Sequence, residues 1–588
     1  MEANTDAILT YNNNFGKMNL SVSGGGNYRF TNANTLEIAG GDLSSPNLFT
    51  LANIKAGTLT VSGTSTNIGT NAGAPYFNGK SVSAYGTANL SYDNKLFLEV
   101  TGRNDWKGAY SQEKISYFYP SASLSWVASE TFKLPQVINY LKTRLNYADV
   151  GNGLVRRRSI DTYSFDASPW GSINTVSLNA SIVDPNLKAQ HSISKEVGFD
   201  LWMFSNRLKF DFTYFVKDQK DQIDNIPLVQ GTGYTGLLTN IGDVRNKGFE
   251  WGLNFTPIKT KDLTWDVSAS FTHYKATITR LSNKFAPAGY VFASYDGKTK
   301  VKLAEGEVIG SIYEENPILR VKTGKYAGMP LLDSKEGKIQ KSSDERDRGK
   351  LGNFNPDFIL GLNTTLKYKQ FTLGLVGSLR KGGKYVSVNQ QYAESNGRAM
   401  TTLGSGENNP WWVGGRDAAN GGLVWPAQNA SEYAAINNNN NDKRSDFQDA
   451  SYVKGVFLNP NYKGDPAAAT DADYIVNGAD SKNTFYDFPY NGYGDIIWNF
   501  SATRTYDATN FKMREITLAY TLPKTVTTKY NLNNVTLAFI GRNLFQWNAS
   551  GRNEDPESAF TGVGTNQGIL RATLPAIRSY GLKLSLDF

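Results

Sequence analysis

The last twelve residues of the sequence, IRSYGLKLSLDF (Ile577–Phe588), alternate strictly between apolar and polar side chains. Period-two alternation predicts an extended strand with one apolar and one polar face. A tilted strand of about ten residues crosses a bilayer, and a transmembrane barrel needs such strands with their apolar side chains toward lipid. We therefore predict a membrane strand here. Its apolar face comprises Tyr580, Leu582, Leu584, Leu586 and Phe588.

The same alternation recurs along the chain. It is clear in Leu208–Val216, in Leu263–Phe271 and in Ile516–Leu522. We count roughly fifteen such stretches, most of them about 9–14 residues long. Ordinary globular strands average about five or six residues. Strands of this length and number predict an all-β fold, a transmembrane antiparallel β-barrel rather than a soluble sandwich.

The connections between the predicted strands alternate between short and long. Lys369-Gln370 and Pro523–Leu532 are short, whereas Asp218–Asp243 and Tyr385–Asp507 are long. Asn12–Gly16 is another short connection. Short periplasmic turns and long outer loops are the expected asymmetry of an outer-membrane barrel.

The strand count also predicts that this chain is one part of a barrel. If the C-terminus is periplasmic, fifteen strands place the start of the first strand, near Ala3–Tyr11, on the outside. A complete single-chain bacterial barrel has an even number of strands. Residues 1–588 are therefore interpreted as the C-terminal portion of a larger barrel, without its first strands and plug domain.

Composition argues against several other classes of protein. The 588 residues include no cysteine and two histidines, His191 and His273, and carry a net charge of +8. Disulfide frameworks, cysteine-bound zinc and thiol catalysis are thereby excluded, and a histidine-based metal site or triad has little support. The charge is modest for this length, which disfavours nucleic acid as a partner. We expect no enzymatic activity, no cofactor and no metal.

Two motifs resemble ligand sites but lack the required context. GTGYTG (Gly231–Gly236) matches G-x-G-x-x-G, yet it lies between predicted barrel strands rather than in a strand–turn–helix unit. The acidic stretch Asp465–Asp480 lacks the spacing and closing glutamate of an EF-hand. Both are interpreted as loops.

Aromatic residues in the long loops are the candidate contacts for a ligand or a lid protein. Aromatic faces stack on sugar rings or apolar peptide groups and are enriched at protein interfaces. Packing inside the loops and a membrane-interface girdle are the alternatives, and the sequence does not choose between them. The candidates are Trp411, Trp412, Trp425, Tyr490 and Tyr493.

Seven stretches, kept in order along the chain, carry a family resemblance. They are LFLEVTGRNDW (Leu96–Trp106), YFYPSASLSWVASETF (Tyr117–Phe132), NIGDVRNKGFEWGLNF (Asn240–Phe255), GNFNPDFILGLN (Gly352–Asn363), FKMREITLAYTLP (Phe511–Pro523), GRNLFQW (Gly541–Trp547) and DPES (Asp555–Ser558). Together they resemble the SusC/RagA family of TonB-dependent transporters from Bacteroidota-type outer membranes.

The resemblance implies an outer-membrane protein of the plugged, 22-stranded class, with roughly seven strands and the plug domain upstream. It also implies energised import of oligosaccharides or peptides, with a SusD-like surface lipoprotein as lid and the TonB complex acting through the N-terminal part. Outer-membrane lipid is the expected surrounding. A SusC-like barrel that serves as a structural or assembly subunit is the alternative. A soluble β-rich adhesin or carbohydrate-binding protein is a third possibility.

Overall fold

A large, mainly antiparallel sheet of sixteen strands dominates the fold. The structure is a computed structural model. It describes residues 2–33, 36–40, 44–45, 53–55, 59–63, 77–107, 116–152, 163–165, 173, 176–178, 181–228, 230–282, 290–295, 298–335, 337–342, 349–395, 412–413, 452–477, 496, 498–560, 567–571 and 576–587.

Fifteen long strands, labelled β1–β15 in chain order, form most of this sheet. They are β1 (Glu2–Phe15), β2 (Met18–Ala33), β3 (Phe77–Tyr92), β4 (Leu96–Lys107), β5 (Ser116–Val127), β6 (Ile138–Asn152), β7 (Gln190–Met203), β8 (Leu208–Pro227), β9 (Gly236–Lys259), β10 (Leu263–Leu281), β11 (Phe358–Tyr368), β12 (Phe371–Lys381), β13 (Asn510–Thr521), β14 (Asn534–Asn548) and β15 (Ser579–Asp587).

The chain divides into two compact units. The first comprises Met1–Pro257 and Asp266–Ala288, and it holds β1–β8 and most of β9 and β10. Its long strands are neighbours in chain order, and the short strand Ser181–Val183 adds to β9 in parallel. The second unit comprises Ile258–Trp265 and Gly289–Phe588, and in it β11–β15 are likewise neighbours in chain order.

Tight turns join several of these hairpins. Asp93 and Asn94 adopt positive φ angles of 50° and 53° between β3 and β4. Phe204, Ser205 and Asn206 do the same between β7 and β8, at 56°, 57° and 62°. Left-handed backbone lets a short turn follow the right-handed twist of paired strands, and Asn and Asp adopt it at lower cost than most residues.

The smaller elements belong to the connections. In the first unit Leu36–Gly40 pairs with Leu59–Gly63, and Tyr163–Phe165 with Val176–Leu178. The second unit adds the short strands Tyr290–Ser294, Thr299–Leu303, Ser311–Glu314, Leu331–Leu332, Gly349–Asn353, Lys384–Ser387, Trp412–Val413, Tyr452–Val453, Val456–Leu458, Tyr474–Val476, Thr505–Asp507 and Ile569–Leu570. The helical segments are Ala128–Thr131, Gln230–Thr232, Val388–Ser395, Pro466–Ala468, Asp471–Asp473, Ser501–Arg504, Lys524–Thr527, Thr528–Tyr530 and Pro556–Phe560.

Among the described residues, no helix combines the length and apolarity needed to cross a membrane.

The predicted all-β class is confirmed, and two predicted boundaries are wrong. Asp218–Asp243 was predicted as a loop, yet β8 continues to Pro227 and β9 begins at Gly236, so the connection is confined to 228–235. The turn predicted at Asn12–Gly16 lies at Gly16-Lys17 instead. Both errors have one cause. Polar residues that do not alternate with apolar ones were assigned to connections, but backbone pairing with the neighbouring strand keeps them in the extended conformation.

Much of the buried core lies in the connections and at the neighbouring ends of the long strands. In the first unit Tyr117, Leu187, Ala189 and Leu238 pack together. Two of the core clusters of the second unit are formed by Ile318, Leu332, Ile339, Phe457, Ile496 and Phe500, and by Val301, Ile312, Phe354 and Val386. By contrast, large apolar side chains on one face of the long strands are exposed. Apolar side chains on the outside of the sheet are what a surrounding bilayer requires.

Stacked aromatic rings lie on this apolar face in the first unit. The rings of Trp251 and Phe271 are parallel within 2°, with their centroids 5.3 Å apart. Phe249 stacks on Phe271 at 5.5 Å, and Phe212 on Phe249 at 6.1 Å. The row therefore ties β8, β9 and β10 together by side chains as well as by backbone hydrogen bonds.

We expect the Trp251–Phe271 pair to stabilise the barrel by about 1 kcal/mol beyond the apolar area of the two rings. A double-mutant cycle of Trp251→Leu and Phe271→Leu measures this coupling from heat-unfolding midpoints, followed by the gel-mobility change of folded barrels. Trp251→Phe keeps a ring in place and is expected to retain most of the coupling. Strictly additive losses in the cycle contradict the prediction.

Candidate functional site

The face opposite the apolar one is polar in the first unit. Directly paired residues share a face of the sheet, so the strand register aligns their side chains in rows. We call these rows the amide–hydroxyl surface, formed by Thr10, Asn12, Asn14, Asn19, Ser21, Ser23, Thr87, Asn89, Ser91, Thr101, Ser121 and Ser123.

Part of this surface lines an open groove of about 370 Å³ near the short-turn ends of β1–β5. Its residues in the groove are Asn12, Asn14, Asn19, Ser21, Asn89, Ser91 and Ser123. Among its described lining residues, Glu99 is the single charged side chain. Asn12 and Asn89 line the groove and are exposed. Apart from Glu99, the surface is uncharged, and its amide and hydroxyl groups can hydrogen-bond hydroxyl and peptide groups.

Hydrogen bonds hold parts of this surface in place. The hydroxyl oxygens of Thr10 and Ser23 are 3.0 Å apart, and those of Thr101 and Ser121 are 2.5 Å apart. A hydroxyl that bonds across strands is oriented before a ligand arrives, which lowers the entropy cost of binding.

A cation on the same face is neutralised within the sheet. Arg144 Nη1 donates to both carboxylate oxygens of Asp200, at 2.8 and 2.9 Å, and Nη2 donates to the hydroxyl of Thr213 at 2.6 Å. These bonds connect β6, β7 and β8. Arg144 and Asp200 are each about a quarter exposed, so the pair is a fixed part of the wall rather than a free charge.

In the second unit, four charged residues form a cluster between β13 and the loop that follows β14. Lys512 Nζ lies 2.6 Å from Asp555 and 2.8 Å from Glu557. Arg514 Nη2 donates to both oxygens of Glu557, at 2.5 and 2.6 Å, and its Nε donates to Ser378 at 2.8 Å. We call Lys512, Arg514, Asp555 and Glu557 the buried charge cluster.

The cluster brings together two of the sequence motifs, FKMREITLAYTLP and DPES. The Lys512 side chain is only 6% exposed, so its ammonium group has lost most of its hydration. The carboxylates of Asp555 and Glu557 compensate for that loss. Burial acts to raise the pKa of Glu557, but hydrogen bonds from Arg514 and Lys512 outweigh it and hold that pKa below its ordinary value. Glu557 is therefore an ionised anchor that fixes the loop to the strand.

A second buried network holds the loops of this unit to one another. Ser387 donates to Glu554 at 2.7 Å, and Gln390 donates to Glu394 at 2.6 Å. The guanidinium of Arg552 lies 5.0 Å from the ring centre of Tyr506. Burial raises the pKa of Glu554, against the opposing effects of Ser387 and Arg552.

Beside this network is a polar cavity of about 280 Å³. Its described lining includes Asn389, Gln546, Asn548, Arg552, Glu554 and Asp555. Several of these groups already bond within the protein, because Asn548 Nδ2 donates to the carbonyls of Arg552 and Glu554 at 2.9 and 3.2 Å. The cavity is therefore a secondary candidate beside the more open amide–hydroxyl surface.

The aromatic candidates predicted from the sequence lie almost wholly outside the described residues. This applies to Trp411, Trp425, Tyr490 and Tyr493. Trp412 belongs to the short strand Trp412–Val413, where its backbone pairs with Val453. Their contact with a ligand or a lid protein stays a prediction. In the described part of the chain, no three His, Cys, Asp or Glu side chains are grouped so as to hold a metal.

The predicted lipid-facing residues of the last strand lie on β15. Tyr580, Leu582, Leu584 and Leu586 are 66%, 78%, 61% and 43% exposed, and Phe588 lies outside the described residues. Sequence reasoning missed the amide–hydroxyl surface, although the Asn, Ser and Thr residues that form it occupy the polar positions of the alternating strands. It also missed the buried charge cluster, whose partners Lys512 and Glu557 are 45 residues apart.

Comparison with known proteins gives consistent matches. The sequence model of a family described as "TonB dependent receptor-like, beta-barrel" matches residues 2–413. TonB-dependent receptor P3 of Formosa agariphila is 24% identical over 617 residues, covering 99% of this chain and 52% of that protein. TonB-dependent receptor SusC of Bacteroides thetaiotaomicron is 25% identical over 304 residues, covering 49% of this chain and 30% of that protein.

Solved structures match the fold over the whole chain. A structure of the RagAB peptide transporter has a TM-score of 0.66 and 15% identity, covering 100% of this chain and 55% of that chain. The RagAB peptide importer in its "open-open" state gives a TM-score of 0.64 at 15% identity, covering 100% and 54%. At this identity the likeness shows the fold alone. The chain spans about half the length of the P3 receptor and of the RagAB chain.

Proposed function

We propose a function from one premise: the chain belongs to the TonB dependent receptor-like, beta-barrel family. It is a SusC-like protein of the outer membrane, and its long strands are those of a transmembrane β-barrel. From this we infer that it supplies barrel wall to an importer that takes up nutrients with energy from the TonB complex. The family match over residues 2–413 is the observation that carries the proposal.

Oligosaccharides or peptides are the cargo that we propose. Support comes from the amide–hydroxyl surface, whose neutral donors and acceptors suit both sugar hydroxyls and peptide groups. The structural relatives named RagAB are a peptide transporter and a peptide importer, which favours cargo of the size of a peptide. No bond in the cargo is made or broken in this role, so we infer that the protein is not an enzyme.

Two kinds of partner belong to the proposal. The first is a plug-bearing N-terminal segment, through which the TonB complex acts. Support for this segment comes from the P3 receptor, of which this chain covers 52%, so that the rest of that receptor has no counterpart in this sequence. Among the described strands, β1 pairs on one side only, with β2, and β15 pairs on one side only, with β14, so each has an edge free for a further strand. The second partner is a SusD-like surface lipoprotein that acts as a lid.

The composition of the complex extracted from the outer membrane in mild detergent tests this proposal. We expect mass spectrometry to find a plug-bearing segment, in the same polypeptide or in a second one, together with a surface lipoprotein. We also expect disruption of the gene to reduce depletion of an oligosaccharide mixture or a peptide digest from the medium. A complex without plug or lipoprotein, or unchanged depletion of both mixtures, contradicts the importer.

A further inference from the structure

The apolar face of the first unit carries two exposed lysines where its apolar side chains give way to charged ones. Lys195 of β7 pairs with Tyr147 and Val216, and Val216 pairs with Lys247 of β9. Tyr147, Lys195, Val216 and Lys247 therefore form one row on one face of the sheet. Neither lysine forms an ion pair with another residue in the described ranges.

The next row toward the short turns is wholly apolar. It consists of Leu98, Leu124, Leu145, Val197, Tyr214 and Phe249. Leu145, Val197 and Tyr214 are 53%, 45% and 41% exposed. The two rows lie against one another, so the ammonium groups border an exposed apolar surface.

These rows line a shallow groove of about 680 Å³. Arg245 and Asp218 also line it, and they neutralise each other through hydrogen bonds of 2.6 and 3.2 Å. Glu196 also lines the groove, but its side chain is on the opposite face of the sheet, where Ser194 donates to it at 3.0 Å. The charge that remains on the face of Lys195 is therefore that of the two lysines. A groove with an apolar floor and a cationic rim matches an amphiphile with acyl chains and an anionic head.

The position of the lysines along the strand fits the outer edge of the bilayer. Lys195 is eight residues from Met203, which ends β7 at a short turn. Eight residues of strand extend about 27 Å, and the usual barrel tilt reduces the rise to about 20 Å. The apolar band of an outer-membrane barrel is about 25 Å tall, which leaves about 5 Å above the lysine backbones. A lysine side chain extends that far toward the interface, so the ammonium groups reach the level of lipid headgroups on the side of the long loops.

We propose that this groove binds a phosphate-bearing acyl lipid of the outer leaflet. Lys195 and Lys247 hold the phosphate, and the row of Leu145, Val197 and Tyr214 packs against the acyl chains. Lysine binds phosphate as a compact charge with three donors, and here it does so beside a low-dielectric medium that strengthens the attraction. The site is independent of cargo and of the proposed import.

Lipid retention by the complete, detergent-purified complex tests the site. After delipidation, the complex is titrated with dimyristoyl phosphatidic acid and analysed by native mass spectrometry. We expect K195Q/K247Q to weaken retention about 25-fold, because each surface cation contributes about fivefold. Dimyristoyl glycerol, which lacks the phosphate, and inorganic phosphate, which lacks the chains, are expected to be retained far more weakly than phosphatidic acid.

Lys217 provides the matched control. It lies on β8 next to Val216, with its side chain on the opposite face, and pairs with Ser194 and Asn246. K217Q removes the same charge and is expected to leave retention unchanged. Equal retention by wild type and K195Q/K247Q overturns the proposal, as does equal loss in K217Q. Retention of dimyristoyl glycerol or of free phosphate as strong as that of phosphatidic acid also overturns it. Should the double variant fail the gel test for folded barrels, K247Q alone is compared with K217Q.

Discussion

Replacing Glu557 with alanine is expected to destabilise the attachment of its loop by about 1.5–3 kcal/mol, the usual effect of removing hydrogen bonds between charged groups. Glu557 accepts from Lys512 Nζ at 2.8 Å, and both of its carboxylate oxygens accept from Arg514 Nη2, at 2.5 and 2.6 Å. Its removal leaves Lys512, whose side chain is 6% exposed, with Asp555 as its remaining carboxylate in the cluster. Hydrogen exchange of Pro556–Phe560 and of β13 measures the loss, as faster exchange confined to these segments.

Glu515→Ala is the control for this experiment because it removes a carboxylate from β13, the strand that carries Lys512 and Arg514. Glu515 pairs with Arg542 at 2.8 Å, but the Arg542 side chain is 60% exposed. Exposed pairs contribute about 0–1 kcal/mol, so this variant is expected to exchange nearly as the wild type does. Equal effects of the two substitutions refute the distinction, and Glu557→Gln replaces the alanine variant if the latter does not fold.

Raising the pH from 5 to 8 is expected to loosen the small sheet that contains Glu314. This carboxyl is 1% exposed, and its pKa is raised from 4.5 to about 7. Burial is the main cause, and it outweighs backbone hydrogen bonds from Ala502 and Ser501 and the charge of Arg504. Because the folded state binds the proton more tightly, stability is greatest below pH 4.5 and falls as the pH rises through 7.

The shift corresponds to a cost of about 3 kcal/mol at pH 8, since each pKa unit is worth about 1.4 kcal/mol. Glu314→Gln is neutral throughout and is expected to remove most of this dependence. Hydrogen exchange of Thr299–Leu303 and Ser311–Glu314, corrected for the chemical effect of pH, measures it. The pKa of Glu307 is lowered, first by its hydrogen bond with Lys350, so its contribution to stability is present at neutral pH and is lost as the pH falls. Glu307→Gln is therefore the control, and we expect it to keep the loss of protection between pH 5 and pH 8. Equal protection from hydrogen exchange at pH 5 and pH 8 in the wild-type sheet contradicts the prediction.

Side-chain alternation predicts the strands where one face meets lipid and the other meets water. The hairpin around Lys369-Gln370 falls where the sequence places it, between β11 and β12. Alternation fails above the membrane, where both faces meet water. The stretch KDQKDQIDNIP therefore appears loop-like in sequence, but pairing with β9 keeps it in strand as far as Pro227.

The candidate site was predictable only in part, for a comparable reason. The amide–hydroxyl surface follows from local pattern, because Asn12, Ser21 and Asn89 each occupy the polar phase of a strand. Their alignment needs the register, which hairpin turns fix only where the turn is short. The contact of Lys512 with Glu557 depends on how the loop after β14 folds back over β13. No periodicity in the sequence encodes such a contact.

The hairpin of β8 and β9 also determines where foreign sequence can be accommodated on the cell surface. These strands are 20 and 24 residues long, whereas a bilayer requires about 9–11. The excess is paired backbone, in which an added residue moves every following side chain to the other face. A peptide tag for surface display is therefore suited to the tip at 230–235, and the same tag placed at 218–227 disrupts the ladder below it.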